Sequence, residues 1–306
     1  MIAPPAATHS FRGLATLGET GRLRLAIQKS GRLTDATLSL LRNIGLDFES
    51  YGQRLISHCE NFPLSILYSR DDDIPGLVGR GTVDLGVVGR NLLYEEDQPV
   101  EELLPLGFGQ CSLVVAVLRE SAYNDPRELI DLRIATSYPV SVRRYFADLG
   151  GEPEIVRLKG SVEVAPALGS ADAIADLSAT GSSLILNDLR PIATILKSEA
   201  VLIANPAALA DRERREHIDR LLLRIRAVQA ARRYKYVMMN APVDALPAIR
   251  RVLPGLKAPT IIPLDHEGFV AVHAAIREDI FWESVERLKE AGATEILVSS
   301  LEKLLL

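Results

Sequence analysis

The spacing of apolar residues alternates between two periods along the first two-thirds of this 306-residue chain. Short runs that are apolar at nearly every position indicate strands, and segments with apolar residues three and four apart indicate amphipathic helices. Strands are predicted at Arg24–Gln28, Leu64–Tyr68, Val83–Val88, Cys111–Leu118, Arg133–Thr136, Glu154–Leu158 and Ala173–Asp176. Helices are predicted at Thr34–Asn43, Asp73–Gly79, Ser141–Leu149 and Val162–Leu168. This alternation predicts parallel sheets and an α/β fold.

The pattern changes in the last third of the chain. A return segment, Ile192–Ile203, leads to a charge-rich helix predicted from Asp211 to about Arg233. Strands are predicted beyond it at Lys235–Asn240, Thr260–Leu264, Phe269–Ile276 and Glu295–Ser299, with helices at Val243–Val252 and Asp279–Ala291. The order βαββαβ predicts a ferredoxin-like unit, a fold that by itself says nothing about function.

Composition narrows the class of protein. The length allows two or three domains, and 47% hydrophobic with 25% charged residues is typical of a soluble globular protein. A net charge of −5 argues against a dedicated nucleic-acid binder. Cys59 and Cys111 lack metal-ligand spacing and fit a reducing compartment. No apolar run is long enough to span a membrane, and residues 1–21 lack a secretory core. We therefore expect a cytoplasmic protein with a flexible leader at 1–21 and no membrane partner.

One segment, Ala171–Leu184, combines carboxylates with a Ser/Thr/Gly turn. Asp172 and Asp176 lie in an apolar run, and Ser178–Ser183 follows at once. A turn of this kind offers N–H groups and hydroxyls to an anion, while carboxylates accept hydrogen bonds from sugar hydroxyls. The segment therefore fits a phosphorylated ribose. It also fits an N-capped helix that follows a strand, and the spacing alone does not decide between them.

The same segment resembles the phosphoribosyl-pyrophosphate loop of the ATP phosphoribosyltransferases, the first enzymes of histidine biosynthesis. Further resemblances follow in order along the chain, at Leu25–Leu33, Arg70–Val78, Val83–Gly89, Arg133–Pro139 and Gly160–Pro166. The resemblance extends from about Arg22 to the C-terminus. It implies transfer of a phosphoribosyl group from phosphoribosyl pyrophosphate to N1 of ATP, with release of pyrophosphate.

The resemblance also implies an architecture. The family has a catalytic core of two α/β lobes, similar to type II periplasmic binding proteins, and its long form adds a ferredoxin-like (ACT-like) domain that binds histidine as feedback inhibitor. We expect lobe I at 22–110 plus 192–230, lobe II at 111–191 and the regulatory domain at 231–306. Members are homohexamers built from dimers, so self-association is expected.

Substrate residues are carried over by position. The resemblance assigns the ribose hydroxyls to Asp172 and Asp176, and the 5′-phosphate to Ser178, Ala179, Thr180, Gly181, Ser182 and Ser183. It places Lys29 and Arg32 near the pyrophosphate, Glu163 at the substrate, and Arg54, Arg70 and Asp73 near ATP. Mg²⁺ is expected to arrive on the pyrophosphate, with no metal ligand assigned to the protein. Each cluster also has a plainer interpretation: a solvated loop for Lys29 and Arg32, and helix capping for the acidic run before Ile74.

For the regulatory domain, the resemblance maps a histidine pocket onto Asn240, Leu256, Ala258, Thr260, Ala271 and His273. The same residues could simply build the core and loops of a small domain. Asn240 stands where some relatives carry Asp.

A non-catalytic protein remains the alternative. Two lobes around a cleft with an amino-acid-binding module also describe a ligand-binding or sensing protein. The retained Lys29, Arg32, Asp172, Asp176 and Gly181 favour the enzyme.

Overall fold

The computed structural model describes residues 21–49, 55–253 and 258–306. Two of the residues singled out above, Arg54 and Leu256, lie outside these ranges, as does the expected leader except for Gly21. The chain forms two compact units. One contains the described residues up to Arg42 together with Leu46–Ile218, and the other contains Asn43–Gly45 and Asp219–Leu306. No helix among the described residues is both long and apolar enough to cross a membrane.

The first unit contains two sheets, and the first of these has six strands. They are β1 (Leu23–Gln28), β2 (Ile56–His58), β3 (Leu64–Ser69), β4 (Leu85–Gly89), β5 (Glu101–Pro105) and β11 (Ala200–Ala204), with helices α1 (Thr34–Asn43), α2 (Ile74–Gly79) and α3 (Arg90–Glu96). Their order is β2-β3-β1-β4-β11-β5, with β3, β1 and β4 parallel and β11 antiparallel to both neighbours. Ala26, Ile74, Val78 and Ile203 pack in its core.

The second sheet follows the same plan. Its elements are β6 (Cys111–Leu118), β7 (Arg133–Thr136), α4 (Pro139–Asp148), β8 (Glu154–Arg157), β9 (Ala173–Ser178), α5 (Ser182–Leu186) and β10 (Leu189–Ser198). The order β8-β7-β9-β6-β10 repeats three parallel strands followed by an antiparallel one. Ile174 packs on one face of β9 and Ala173 and Ala175 on the other, which explains why this strand is apolar at successive positions. Two such lobes, each with its own sheet, form the two-lobed core expected from the sequence.

Two segments connect the lobes. The chain leaves the first sheet after Pro105, enters the second at Cys111, and returns between Ser198 and Ala200. The two connections are hydrogen-bonded to each other, since the Leu106 N–H donates to the Ala200 carbonyl (2.8 Å). The return at residue 192 expected from the sequence is too early, because β10 pairs with β6 as far as Ser198.

The helix predicted at Val162–Leu168 is also wrong. The structure has a short 3-10 turn at Val162–Val164, closed by the Ala165 N–H on the Val162 carbonyl (3.1 Å). Pro166 has no N–H to continue helical bonding to Val162, so the segment stays a series of turns. Helices α6 (Pro206–Ala210) and α7 (Arg212–Ala231) follow β11 of the first sheet.

The second unit has the predicted ferredoxin-like fold. Its elements are β12 (Tyr234–Pro242), α8 (Leu246–Val252), β13 (Thr260–Pro263), β14 (Phe269–Arg277), α9 (Phe281–Glu290) and β15 (Thr294–Ser300). The four strands are antiparallel in the order β13-β14-β12-β15. Alternate residues such as Val237, Met239 and Val272 face a core shared with Ile249 of α8 and Leu288 of α9.

Candidate active site

In the first lobe, two loops that carry charged candidates lie side by side. β1 and β3 are parallel with Gln28 opposite Ser69, and the Lys29 N–H donates to the Ser69 carbonyl (2.8 Å). The loop with Lys29 and Arg32 therefore lies next to the one that begins at Arg70. Carboxyl ends of parallel strands are where ligands bind in α/β sheets.

The loop after β1 has a fixed shape. Gly31 has φ +136°, a backbone conformation that other residues rarely adopt, so glycine is favoured there. Lys29 and Arg32 are exposed on either side of it. The Arg32 guanidinium donates to the Gly109 carbonyl in the segment that connects the lobes.

The three carboxylates of the acidic run after β3 differ in the hydrogen bonds that they make within the protein. Arg70 pairs with Asp72 (Nε to Oδ1, 3.2 Å), and Asp71 accepts a hydrogen bond from the Asp72 N–H (3.1 Å). Asp73 precedes α2, but its side chain makes no capping bond. The capping interpretation of Asp73 therefore has no hydrogen bond behind it.

In the second lobe, three loops share the corresponding edge. Thr136 of β7 lies opposite Ala175 of β9 and Arg157 of β8, so residues 137–138, 158–163 and 178–183 leave the sheet together. These loops carry Glu163, Asp176 and the Ser/Thr/Gly turn.

Asp176 is a half-buried carboxyl at this edge. Its Oδ1 accepts a hydrogen bond from the Leu177 N–H (2.8 Å). The pKa of Asp176 is raised to about 6, chiefly because burial disfavours its charged form; the Leu177 N–H lowers this pKa and the negative charge of Glu163 raises it. The pair of carboxyls suits ligands that bring hydrogen-bond donors or a cation.

The turn after β9 is organised by its own polar groups. The Gly181 N–H donates to Ser178 Oγ (3.1 Å), and the Thr180 and Ser182 hydroxyls lie 2.7 Å apart. Gly181 has φ +79° and immediately precedes α5. Within the described part of the chain, the N–H groups of Ala179 and Thr180 have no acceptor. The turn therefore offers donors to an anion.

Asp172 lies elsewhere, and its predicted role in holding ribose hydroxyls is wrong. It precedes β9, at the opposite end of the strand from Ser178. Both of its carboxylate oxygens bind the Arg133 guanidinium, at 3.0 and 3.1 Å. These bonds hold the pKa of Asp172 below its usual range. Its carboxylate therefore stabilises the second lobe through Arg133 and does not face the substrate loops.

Tyr138 joins the two sets of loops. It packs beside the core of the first lobe although it belongs to the second. Burial raises its pKa, and the charges of Asp176 and Asp71 raise it further while Arg32 lowers it. A cavity of about 250 Å³ lies beside it. That cavity is lined from the first lobe by Arg70, Asp71, Asp72, Leu92, Glu95 and Glu96, and from the second by Ser137, Tyr138, Arg157, Leu158 and Lys159.

Some of this lining was missed in the sequence. Lys159 precedes Gly160 after a strand, much as Lys29 precedes Gly31, and that likeness was the available signal. Glu95 gave no signal, because its carboxylate accepts hydrogen bonds from Val140 and Ser141, which lie 45 and 46 positions later in the chain. Among the described residues, no group of three His, Cys, Asp or Glu side chains is arranged to hold a metal ion.

In the second unit, four residues of the predicted histidine pocket lie on or beside one sheet face. Asn240 is opposite Ala271, and Thr260 is opposite His273. Strand alternation turns these residues away from the core formed with α8 and α9. His273 Nδ1 lies 3.0 Å from the Tyr236 hydroxyl.

One further contact lies on this face. The Asn240 amide donates to the Glu295 carboxylate, and Ala258 is exposed just before β13. Asn240 therefore already has a polar partner within the unit.

Comparisons with known proteins agree with this architecture. A family model described as ATP phosphoribosyltransferase matches residues 70–227, and one described as the HisG C-terminal domain matches 231–303. A curated ATP phosphoribosyltransferase from Cytophaga hutchinsonii is 42% identical over 282 residues, covering 92% of this chain and 98% of that protein.

A solved structure gives the same result. The ATP phosphoribosyl transferase (HisG:HisZ) complex from Thermotoga maritima matches with a TM-score of 0.59 and 27% identity, over 67% of this chain and 96% of that one. The chain belongs to the ATP phosphoribosyltransferase family.

Proposed function

We propose that the loops around Tyr138 bind phosphoribosyl pyrophosphate and ATP, and that phosphoribosyl transfer to N1 of ATP takes place between the lobes. The observation that carries this proposal is the turn after β9. Ala179 and Thr180 offer unused N–H groups beside the half-buried Asp176. Ser178–Ser183 would hold the 5′-phosphate, and Asp176 would accept hydrogen bonds from the ribose hydroxyls.

The leaving group would be stabilised from the first lobe. Pyrophosphate departs as the C1–O bond of ribose breaks, and negative charge grows on its oxygens. Lys29 and Arg32 are exposed at the end of β1, where they would balance that charge. Arg32 would then exchange its bond to the Gly109 carbonyl for a phosphate oxygen.

Magnesium fits the acidic side of this site. The raised pKa of Asp176 reflects burial first and repulsion by the Glu163 carboxylate second, and carboxylate and phosphate oxygens are ligands that Mg²⁺ prefers. A cation carried by the pyrophosphate would relieve that repulsion. When bound, Mg²⁺ supplies positive charge to the leaving group. Asp176 and Glu163 would then orient the ribose and its cation.

ATP would approach from the cavity beside Tyr138. Adenine N1 attacks with its own lone pair, so no enzyme nucleophile is required. The protein aligns N1 with C1 of ribose, which can lower the barrier substantially. Arg70 and Asp73 are the proposed contacts from the first lobe, together with Arg54 of the segment not described. Arg157 and Lys159 add positive charge on the opposite wall.

Regulation would use the open sheet face of the second unit. Asn240, Ala258, Thr260, Ala271 and His273 would bind histidine, together with Leu256. Coupling between two sites typically amounts to about 1–3 kcal/mol. We propose that histidine acts through subunit rearrangement in a hexamer built from dimers, in the cytoplasm.

The test is formation of phosphoribosyl-ATP from both substrates with Mg²⁺ and a pyrophosphatase, with and without histidine. Product that disappears on adding histidine supports transfer and regulation together. Product that ignores histidine would contradict the regulatory proposal. Absence of product from folded protein that binds either substrate would favour a non-catalytic binding protein.

A further inference from the structure

We propose that Glu95 is a positioning residue that clamps the two lobes together and sets the wall of the ATP cavity. Glu95 belongs to α3 of the first lobe, but its carboxylate binds three groups of the second. Its Oε1 accepts from the Val140 N–H at 3.0 Å. Its Oε2 accepts from the Ser141 N–H and from the Ser141 hydroxyl, both at 2.9 Å.

The clamp occupies the first turn of α4. The first N–H groups of a helix have no partner within the helix and are usually capped by a nearby side chain. Tyr138 stands at the cap position without a side-chain bond, and Pro139 has no N–H to offer. Glu95 supplies the cap from another lobe, and its negative charge is favoured at a helix N-terminus. The contact is therefore a specific seat for a carboxylate.

Val140, whose N–H binds Glu95, is two residues after Tyr138 of the cavity wall. Tyr138 directly precedes α4, and its main-chain N–H donates to Thr136 Oγ1 (2.9 Å). The Ser137 hydroxyl donates to the Leu158 carbonyl (2.7 Å), which links the wall to the loop that carries Lys159. The carboxylate thus fixes Tyr138 and, through Ser137, the spacing between cations on opposite walls. The inference rests on the proposed assignment of this cavity to ATP.

A second contact between α3 and α4 provides a matched control. Arg144 donates to the Tyr94 carbonyl at 3.0 Å and lies 3.7 Å from Asp97. It joins the same two helices but does not touch the first turn of α4. Arg144→Ala therefore weakens the packing of the lobes without disturbing the wall.

The test begins with binding of ATP to Glu95→Gln and Glu95→Ala, measured by titration calorimetry. Losing one charge-assisted hydrogen bond corresponds to about tenfold, so ATP is expected to bind about tenfold more weakly. Binding of phosphoribosyl pyrophosphate should weaken clearly less than binding of ATP, because Ser178–Ser183, which would hold its 5′-phosphate, follows β9 and makes no contact with Glu95. Arg144→Ala should leave both affinities within about twofold.

Chemical rescue separates positioning from general destabilisation. Formate added to Glu95→Ala can occupy the vacated seat, and it should restore ATP binding while leaving the wild type unchanged. Failure of formate to restore binding, unchanged ATP affinity in Glu95→Gln, or equal weakening of both substrates would overturn the proposal.

The test also covers a Glu95→Ala variant that does not fold and a wild type that forms no product. If Glu95→Ala does not fold, Ser141→Ala removes one of the three bonds, and weaker ATP binding in that variant is the expected result. Unchanged affinity in Ser141→Ala would then count against the clamp. Since ATP binding needs no turnover, a wild type that binds ATP but forms no phosphoribosyl-ATP contradicts the proposed function and leaves the clamp testable.

Discussion

Asp172 and Arg133 are joined by a two-point ion pair in the second lobe. Arg133 Nε lies 3.1 Å from Oδ2 and Nη2 lies 3.0 Å from Oδ1, and the Arg133 main-chain N–H also donates to Oδ2 (3.0 Å). The first lobe has the same arrangement. There the Arg24 main-chain N–H and Nε both donate to Asp84 Oδ2, at 2.8 and 3.3 Å.

The two pairs occupy equivalent places. Each arginine lies in the middle one of the three parallel strands of its lobe, and each aspartate directly precedes the third of them. Each arginine also donates to the carbonyl of a glycine three positions before the aspartate, Gly169 or Gly81. Since only the second lobe carries the Ser/Thr/Gly turn, a feature repeated in both is part of the fold. This repetition separates Asp172 from Asp176.

Asp172→Asn is expected to destabilise the catalytic unit. Loss of a hydrogen-bonded charge costs about 1–3 kcal/mol of unfolding free energy. Asp84→Asn should cost more, because the Asp84 side chain is 2% exposed and also binds Arg214 at 3.0 Å. Denaturant unfolding of both variants measures this. Equal stability of wild type and Asp172→Asn would contradict the structural role.

The contribution of Asp172 should depend on pH. Arg133 holds the pKa of Asp172 below that of an unfolded aspartate, so the stabilisation is present above that ordinary value and is lost in acid. The difference between wild type and Asp172→Asn should therefore shrink as the pH falls below about 4. A difference that persists unchanged in acid would argue against the ion pair as its source.

Asp176 is expected to behave in the opposite way. Its pKa is raised to about 6, so the substrate-free fold loses stability as the pH rises from about 4 through 6 and the buried carboxyl ionises. Asp176→Asn should therefore be more stable than wild type at neutral pH. Thermal unfolding across this range checks the sign, and a less stable variant at neutral pH would be the contrary result.

Gly181→Ala should weaken binding of phosphoribosyl pyrophosphate. A Cβ at Gly181 has open space around it, so the effect arises from φ +79°, which costs a non-glycine residue about 1 kcal/mol or more. The turn would relax and move the N–H groups of Ala179 and Thr180. Gly150, at φ +91° with equally open space and outside the site, is the control. Equal effects of both alanine variants on the KM would contradict the loop assignment.

His273→Ala should relieve histidine inhibition while leaving the uninhibited rate unchanged. The variant removes a ring held against the Tyr236 hydroxyl on the proposed pocket face. Losing one such contact corresponds to about tenfold weaker inhibition. His266→Ala, in the β13–β14 loop, is the control and should be inhibited like wild type. Unchanged inhibition in His273→Ala would contradict the assignment of the histidine pocket to this sheet face.

Much of the fold could be predicted from the sequence because its strands are short apolar runs between glycines and charges. β6 and β7, for example, have the predicted bounds. The prediction of a helix after Gly160 was wrong because Pro166 interrupts helical hydrogen bonding. The prediction that the chain returns to the first lobe at residue 192 was wrong because strand pairing, not composition, decides where β10 ends.

The site was predictable where its residues are close in sequence. The turn after Asp176 is one continuous motif, whereas the role of Asp172 depends on Arg133, 39 positions earlier. The hydrogen bonds of the Glu95 carboxylate involve residues 45 and 46 positions later in the chain. Spacing along one chain does not reveal such partners. They become visible only once β7, β9 and α4 have been placed.

The most direct test of the proposed substrate site is a comparison of Asp176→Asn with Asp172→Asn in the phosphoribosyl-ATP assay, with the KM for phosphoribosyl pyrophosphate as the readout. We predict a KM raised about tenfold or more for Asp176→Asn, and one within about twofold of wild type for Asp172→Asn. A raised KM in Asp172→Asn alone, or equal KM values in both variants, would contradict it.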